Sequence, residues 1–74
     1  MEFDYSELIG KIIAKFGSRK NFAAAWGKSE NIVSEKLNNK TRFTTTDIVE
    51  ICSPELLGIS QEEISTYFFT PKVQ

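Results

Sequence analysis

Apolar residues recur at three- and four-residue spacing along most of the chain, which is the period of an amphipathic helix. In segment 3–16 this pattern is formed by Tyr5, Leu8, Ile9, Ile12, Ile13 and Phe16. It predicts a first helix that Asp4 caps, with Glu7 completing a capping box, and that Gly17 ends.

Residues 18–39 predict two more short helices joined by a tight turn at Gly27. Ser18 is a suitable N-cap for the first, because a serine hydroxyl accepts the free N–H groups of the first helical turn. The second is expected to start after Ser29 and to end near Asn38.

These two helices have one apolar and one polar side. The inner side is expected to hold Phe22, Ala23, Trp26, Ile32, Val33 and Leu37. Ala23 is small enough to let the second helix cross close to the first. The polar residues of the second helix are expected to face outward. This arrangement is typical of a helix-turn-helix, whose second helix enters a DNA major groove.

The segment after these helices begins with a turn. Asn39 stands where a glycine often stops a helix, and Asn tolerates left-handed geometry next best. Residues 40–42 form a short basic loop, and Phe43 is expected to turn toward the core.

A fourth helix is predicted to begin at Thr44, which forms a capping-box pattern with Asp47. Its apolar side is expected to carry Ile48, Val49, Ile51 and Cys52. Pro54 leaves two possibilities, because a proline inside a helix removes a backbone hydrogen bond. Either the helix kinks there, or it stops near Cys52 and a new turn starts with Ser53 as its cap.

The remaining chain predicts one more short helix. Ser60 and Glu63 form a third capping-box pattern, so the fifth helix is expected to run from about 61 to 67, followed by a tail at 70–74. We therefore expect an all-α fold of five short helices in a single helix-turn-helix domain, 1–74.

The composition removes several classes of site. The 74 residues contain no histidine and one cysteine, so we expect no metal cluster, no disulfide framework, no cofactor and no catalytic constellation. Residues 1–5 are acidic and lack the pattern of a signal peptide, and no apolar run is long enough to span a bilayer. A cytoplasmic binding protein is the expected class.

Charge is unevenly distributed although the net charge is only −1. Segment 11–42 carries eight Lys or Arg and two Glu, whereas both ends of the chain are acidic. A basic half is the asymmetry that a groove-binding protein needs.

Two stretches, FDYSELIGKII and FAAAWGKSENIVSEKLNNK, together with the ending LLGISQEEISTYFF, carry a resemblance to a known family. They resemble the small Cro-type and repressor-like proteins of temperate phages of Gram-positive hosts. The resemblance implies a lambda-repressor-like fold of five helices and control of the lysis–lysogeny switch. Some members of the group are modulators of repression, which bind the partner phage repressor.

The resemblance also implies two sets of contact residues. Contacts to bases, or to a partner protein, are implied for Ser29, Glu30, Asn31, Ser34, Glu35 and Asn38. Contacts to DNA phosphates are implied for Arg19, Lys20, Lys28, Lys40, Thr41 and Arg42. Asn, Glu and Ser all form hydrogen bonds with base edges, but an outward Arg for guanine is missing. Both sets could also be ordinary solvated surface.

Three consecutive aromatic residues, Tyr67, Phe68 and Phe69, end the predicted fifth helix. A helix cannot bury three successive side chains on one side, so at least one is expected to be exposed. An exposed aromatic residue near a terminus often marks an interface, and Cro-type proteins commonly dimerise. Alternatively, two of the rings fold back on the core and the third is only tolerated.

Two functions remain open. The first is an operator-binding regulator that places helix 30–38 in the major groove of double-stranded DNA, as a monomer or weak homodimer. The alternative is an antirepressor or modulator that binds the cognate phage repressor through the same acidic and polar helix. The acids favour the second function, and the basic loop favours the first.

Overall fold

A computed structural model of the chain describes residues 2–73, and these residues form five α-helices. The helices are α1 (Ser6–Phe16), α2 (Arg19–Trp26), α3 (Glu30–Leu37), α4 (Thr45–Cys52) and α5 (Ile64–Phe68), and a 3₁₀ turn (Gln61–Glu63) precedes α5. No β-strand occurs in this part of the chain. The predicted all-α class is confirmed.

The predicted N-caps of α2, α3 and α4, which are Ser18, Ser29 and Thr44, are confirmed by their hydrogen bonds. The Asn21 N–H donates to the Ser18 hydroxyl at 3.1 Å, and the Ile32 N–H donates to the Ser29 hydroxyl at 3.2 Å. Gly27 ends α2 with a φ of 81°, a conformation that a side chain would strain. α2 and α3 pack against each other across this turn.

The first helix begins three residues later than the pattern predicts. Asp4 does not cap it; its Oδ1 accepts bonds from the N–H and the hydroxyl of Ser6, and α1 has no side-chain cap. Phe3 is extended instead and forms an isolated antiparallel bridge with Pro71, beside a 2.7 Å bond from the Asp4 N–H to the Thr70 carbonyl. Pairing with the C-terminal segment thus keeps these residues out of the helix.

Asn39 adopts the predicted left-handed conformation, with a φ of 64°. Its side-chain amide also forms two bonds with the backbone of Phe3. The Phe3 N–H donates to Asn39 Oδ1 at 3.0 Å, and Asn39 Nδ2 donates to the Phe3 carbonyl at 2.9 Å. The turn after α3 therefore holds the N-terminal segment on the domain.

The structure resolves the ambiguity at Pro54 in favour of a helix that stops at Cys52. Ser53 is extended, as the residue before a proline prefers, and residues 54–57 form a turn. The Gly58 N–H closes this turn by donating to the Ser53 carbonyl at 2.8 Å.

One hydrophobic core holds the helices together. Its buried members are Tyr5, Leu8, Ile12, Phe22, Ala23, Val33, Leu37, Ile51, Leu56, Leu57, Ile59 and Phe68. Phe43 turns inward as expected and packs edge-on against Tyr5 and Phe68, with ring centres 5.2 and 5.3 Å away.

Three apolar residues expected inside are exposed. Ile13, Ile32 and Val49 keep 43%, 41% and 66% of their surface in contact with solvent. In α3 the buried pair is Val33 and Leu37, and one residue of helix rotates Ile32 about 100° away from Val33. Val49 lies two residues from Ile51, which places it on the opposite side of α4 from that buried residue.

Candidate macromolecule-binding face

The polar side of α3 faces away from the core. Of the six residues predicted there, Ser34 is half-buried and five are exposed: Ser29, Glu30, Asn31, Glu35 and Asn38. We define the outer face of α3 as these six residues together with exposed Ile32; around the helix Ile32 lies about 60° from Glu35, whereas Glu30, in the first turn, lies on the other flank. The face is available to a macromolecule, as the amphipathic pattern predicts.

Two carboxylates dominate the electrostatics of the outer face of α3. Glu30 and Glu35 form no ion pair within residues 2–73. Ile32, which lies between them in the sequence, adds an exposed apolar side chain. The sequence pattern had predicted this residue on the inner side of the helix pair. The face therefore combines acid and apolar character, which suits a protein surface better than a phosphate backbone.

Most of the predicted phosphate-contacting residues are exposed. Arg19 is half-buried, and the exposed members are Lys20, Lys28, Lys40, Thr41 and Arg42. They lie on α2, in the turn that follows it, and in the loop after α3. Their contacts with phosphates stay a prediction.

Lys36 has a structural role that sequence analysis missed. Its ammonium lies 2.9 Å from the Asp47 carboxylate and donates to the Arg42 carbonyl at 2.9 Å. Burial alone would raise the pKa of Asp47, but bonds from the Thr44 N–H and from Lys36 hold that pKa below its ordinary value. The pair fixes the basic loop between α3 and α4.

Trp26 is only half-buried, although its position predicts a core residue. Its indole N–H donates to Glu50 Oε1 at 2.8 Å, which ties α2 to α4. The Lys28 ammonium lies 5.5 Å from the centre of the Trp26 ring. Because the two residues are 24 positions apart, no local sequence pattern indicates the Trp26–Glu50 bond.

The three consecutive aromatic residues separate as expected. Phe68 is buried, Tyr67 is half-buried beneath the Lys11 ammonium, and Phe69 keeps 47% of its surface exposed. The Phe69 ring packs edge-on against Phe3, with centres 5.7 Å apart. Phe69 is the member that remains available for the predicted interface.

Two further features are absent from residues 2–73. No group of three or more His, Cys, Asp or Glu side chains is placed to hold a metal ion. None of the helices described has the length and apolar character needed to cross a membrane.

Comparison with known proteins identifies the family. The profile of a family described as "Protein of unknown function (DUF739)" matches residues 1–71. This chain belongs to the DUF739 family. A comparison with curated protein sequences gives no match. The match does not show that the chain also belongs to the wider Cro-type and lambda-repressor-like group. That membership stays a prediction from the sequence.

A solved structure gives a more specific similarity. The chain is similar to the modulator of repression of the temperate bacteriophage TP901-1 from Lactococcus lactis. The two are 42% identical, the match covers 100% of this chain and 97% of the other, and the TM-score is 0.81. The similarity agrees with the predicted relation to phage modulators of repression.

Proposed function

We propose that this DUF739 protein modulates repression in a temperate phage by binding the phage repressor through the outer face of α3, in the cytoplasm of the host. The observation that carries the proposal is the full-length similarity, at 42% identity, to a modulator of repression. The protein acts in this proposal as a binding partner and not as an enzyme.

The chemistry of the outer face of α3 supports a protein partner. A repressor needs a basic surface to bind DNA, because much of the binding free energy comes from lysine and arginine side chains that neutralise phosphates and release their counterions. Glu30 and Glu35 are the charges that such a surface attracts, and Ile32 supplies apolar area that becomes buried in the contact. Phosphates would instead repel both carboxylates.

The mechanism follows from this complementarity. When the outer face of α3 covers the basic surface of the repressor, the repressor's cations are no longer free to pair with phosphates. Repressor occupancy of its operator then changes without any chemical step. Because the contact pairs opposite charges, salt is expected to weaken it.

A gel shift tests the proposal with switch-region DNA of the phage that encodes the chain. The DNA is mixed with this protein alone, with the repressor of the same phage alone, and with both. We expect no shift with the protein alone and an altered repressor shift in the mixture. A repressor shift that is unchanged at saturating protein would overturn the proposal.

The second candidate function is direct binding of operator DNA by a helix-turn-helix. The observation that favours it is the exposed basic loop 40–42 beside α3, with Lys20 and Lys28 also exposed. In this function, Asn31 and Ser34 form hydrogen bonds with base edges.

Direct binding of DNA has its own test. Asn31→Ala and Ser34→Ala should then weaken a salt-sensitive shift by the protein alone while helical circular dichroism persists. A weak homodimer joined at Phe69 would serve two half-sites one DNA turn apart, and a size measurement in solution would detect it.

A further inference from the structure

An open groove lies between α2 and α4, and none of its lining residues belongs to the outer face of α3. Its lining residues are Ala25, Trp26, Val49, Glu50, Ser53, Glu55 and Leu56. The space that they border is about 450 Å³. We call it the α2–α4 groove.

The lining of the α2–α4 groove combines apolar groups with two acids. Half-buried Trp26 provides apolar surface, Val49 is the most exposed large apolar residue in the helices, and Leu56 adds a lining residue that is 6% exposed. Glu50 and Glu55 are the charged lining residues, and no lysine or arginine is among the lining. The groove is therefore complementary to a side chain that carries a positive charge on an apolar stem.

Two hydrogen bonds organise the groove before any partner arrives. Trp26 Nε1 donates to Glu50 Oε1 at 2.8 Å, and the Ser53 hydroxyl donates to the Glu50 carbonyl at 2.7 Å. The first bond uses one of the two carboxylate oxygens of Glu50. Because the indole and the carboxylate hold each other in place, little side-chain freedom remains to be lost on binding.

We propose that the α2–α4 groove docks a segment of the partner repressor that presents a lysine or arginine beside a large apolar side chain. The cation pairs with Glu50 and Glu55, and the apolar side chain covers Val49 and Trp26. This inference rests on the proposed function and adds a second contact surface to it. Charge selects the occupant, because a DNA-binding protein is rich in exposed lysine and arginine.

The side chain of Trp26 supplies a direct readout of the groove. The chain contains one tryptophan, so a ¹⁵N-labelled sample gives a single indole N–H signal. Titration with the unlabelled repressor of the same phage should shift or broaden that signal. If the repressor binds and the indole signal and the groove amides do not change, the groove is not its docking site.

Two pairs of matched variants separate docking from a general charge effect. Val49→Lys and Glu55→Lys place a cation inside the groove, and both positions are exposed, so folding should persist. Thr46→Lys on α4 and Glu62→Lys in the 3₁₀ turn are their controls, exposed and outside the lining. We expect the groove variants to weaken repressor binding by roughly tenfold or more and the controls to leave it within about twofold.

The outcomes distinguish this inference from the proposed function. If the wild-type chain binds the repressor and both groove variants bind equally well, the groove assignment is wrong and the proposed function stands. Equal losses in groove variants and controls also contradict it. If the wild-type chain does not bind the repressor, both proposals fail. An indole signal that shifts with chain concentration alone would identify a second copy as the occupant.

Discussion

The ammonium of Lys36 lies 2.9 Å from the Asp47 carboxylate, and this ion pair joins α3 to the first turn of α4. Only 13% and 11% of the two side chains are exposed, so solvent screens the pair weakly. The same carboxylate accepts a bond from the Thr44 N–H at 2.9 Å. Asp47 thus stabilises both the start of α4 and the loop 40–42.

Asp47→Asn should lower the free energy of unfolding at neutral pH by about 2 kcal/mol, because a charged hydrogen bond and an ion pair are lost. The pKa of Asp47 lies below its ordinary value of 3.8 in the folded chain. The ionised carboxylate therefore stabilises the folded chain fully at pH values above the ordinary pKa. This contribution is lost as the pH falls through the lower pKa of the folded state.

Denaturant titrations of wild type and Asp47→Asn at neutral pH and in acid check this pH dependence. The two stabilities should converge in acid, whereas Glu62→Gln, at an exposed position, should match the wild type throughout. A difference between wild type and Asp47→Asn that does not change with pH would contradict the assignment.

Asn39 should tolerate glycine better than alanine. Both substitutions remove the two bonds to the Phe3 backbone, but alanine also meets the steric cost of a φ of 64°. We expect Asn39→Ala to be less stable than Asn39→Gly by about 1 kcal/mol in denaturant titrations. In both variants the Phe3 N–H should exchange with solvent faster than in wild type, and equal stability of the two would argue against the left-handed turn.

The neighbours Val33 and Ile32 test which side of α3 faces the core. Val33 is 1% exposed, so Val33→Asp buries an unpaired charge and should unfold the domain. Ile32 is 41% exposed, so Ile32→Asp should keep its helical circular dichroism and a cooperative thermal transition. A folded Val33→Asp protein would mean that the two sides of α3 have been exchanged.

Local patterns predicted the helices better than they predicted burial. Ser18, Gly27 and the Thr44–Asp47 box act within four residues, so their roles are visible in the sequence. Hydrophobicity alone does not say which of two adjacent apolar residues faces the core. The sequence therefore left Ile32 and Val49 on the wrong side, although both predicted helices are present.

The contacts that sequence patterns did not predict are long-range. The hydrogen bond between Trp26 and Glu50 joins residues 24 positions apart, and the bond between Asn39 and Phe3 joins residues 36 positions apart. Such pairs depend on the packing of whole helices, so no spacing within the sequence indicates them. Conversely, the exposure of the polar residues of α3 was predictable, unlike that of Ile32, because an amphipathic helix turns most of its polar residues away from its buried pair.

Titration calorimetry of the repressor with a charge-reversed outer face of α3 tests the proposed binding face most directly. Glu30→Lys with Glu35→Lys is the test variant. Glu7→Lys with Glu62→Lys is its control, since it makes the same charge change at exposed positions elsewhere and also places one Lys in a first helical turn.

We expect the test variant to lose repressor binding by roughly a hundredfold or more, while the control stays within about threefold of wild type. A test variant that binds the repressor as tightly as the control does would contradict the assignment of the outer face of α3.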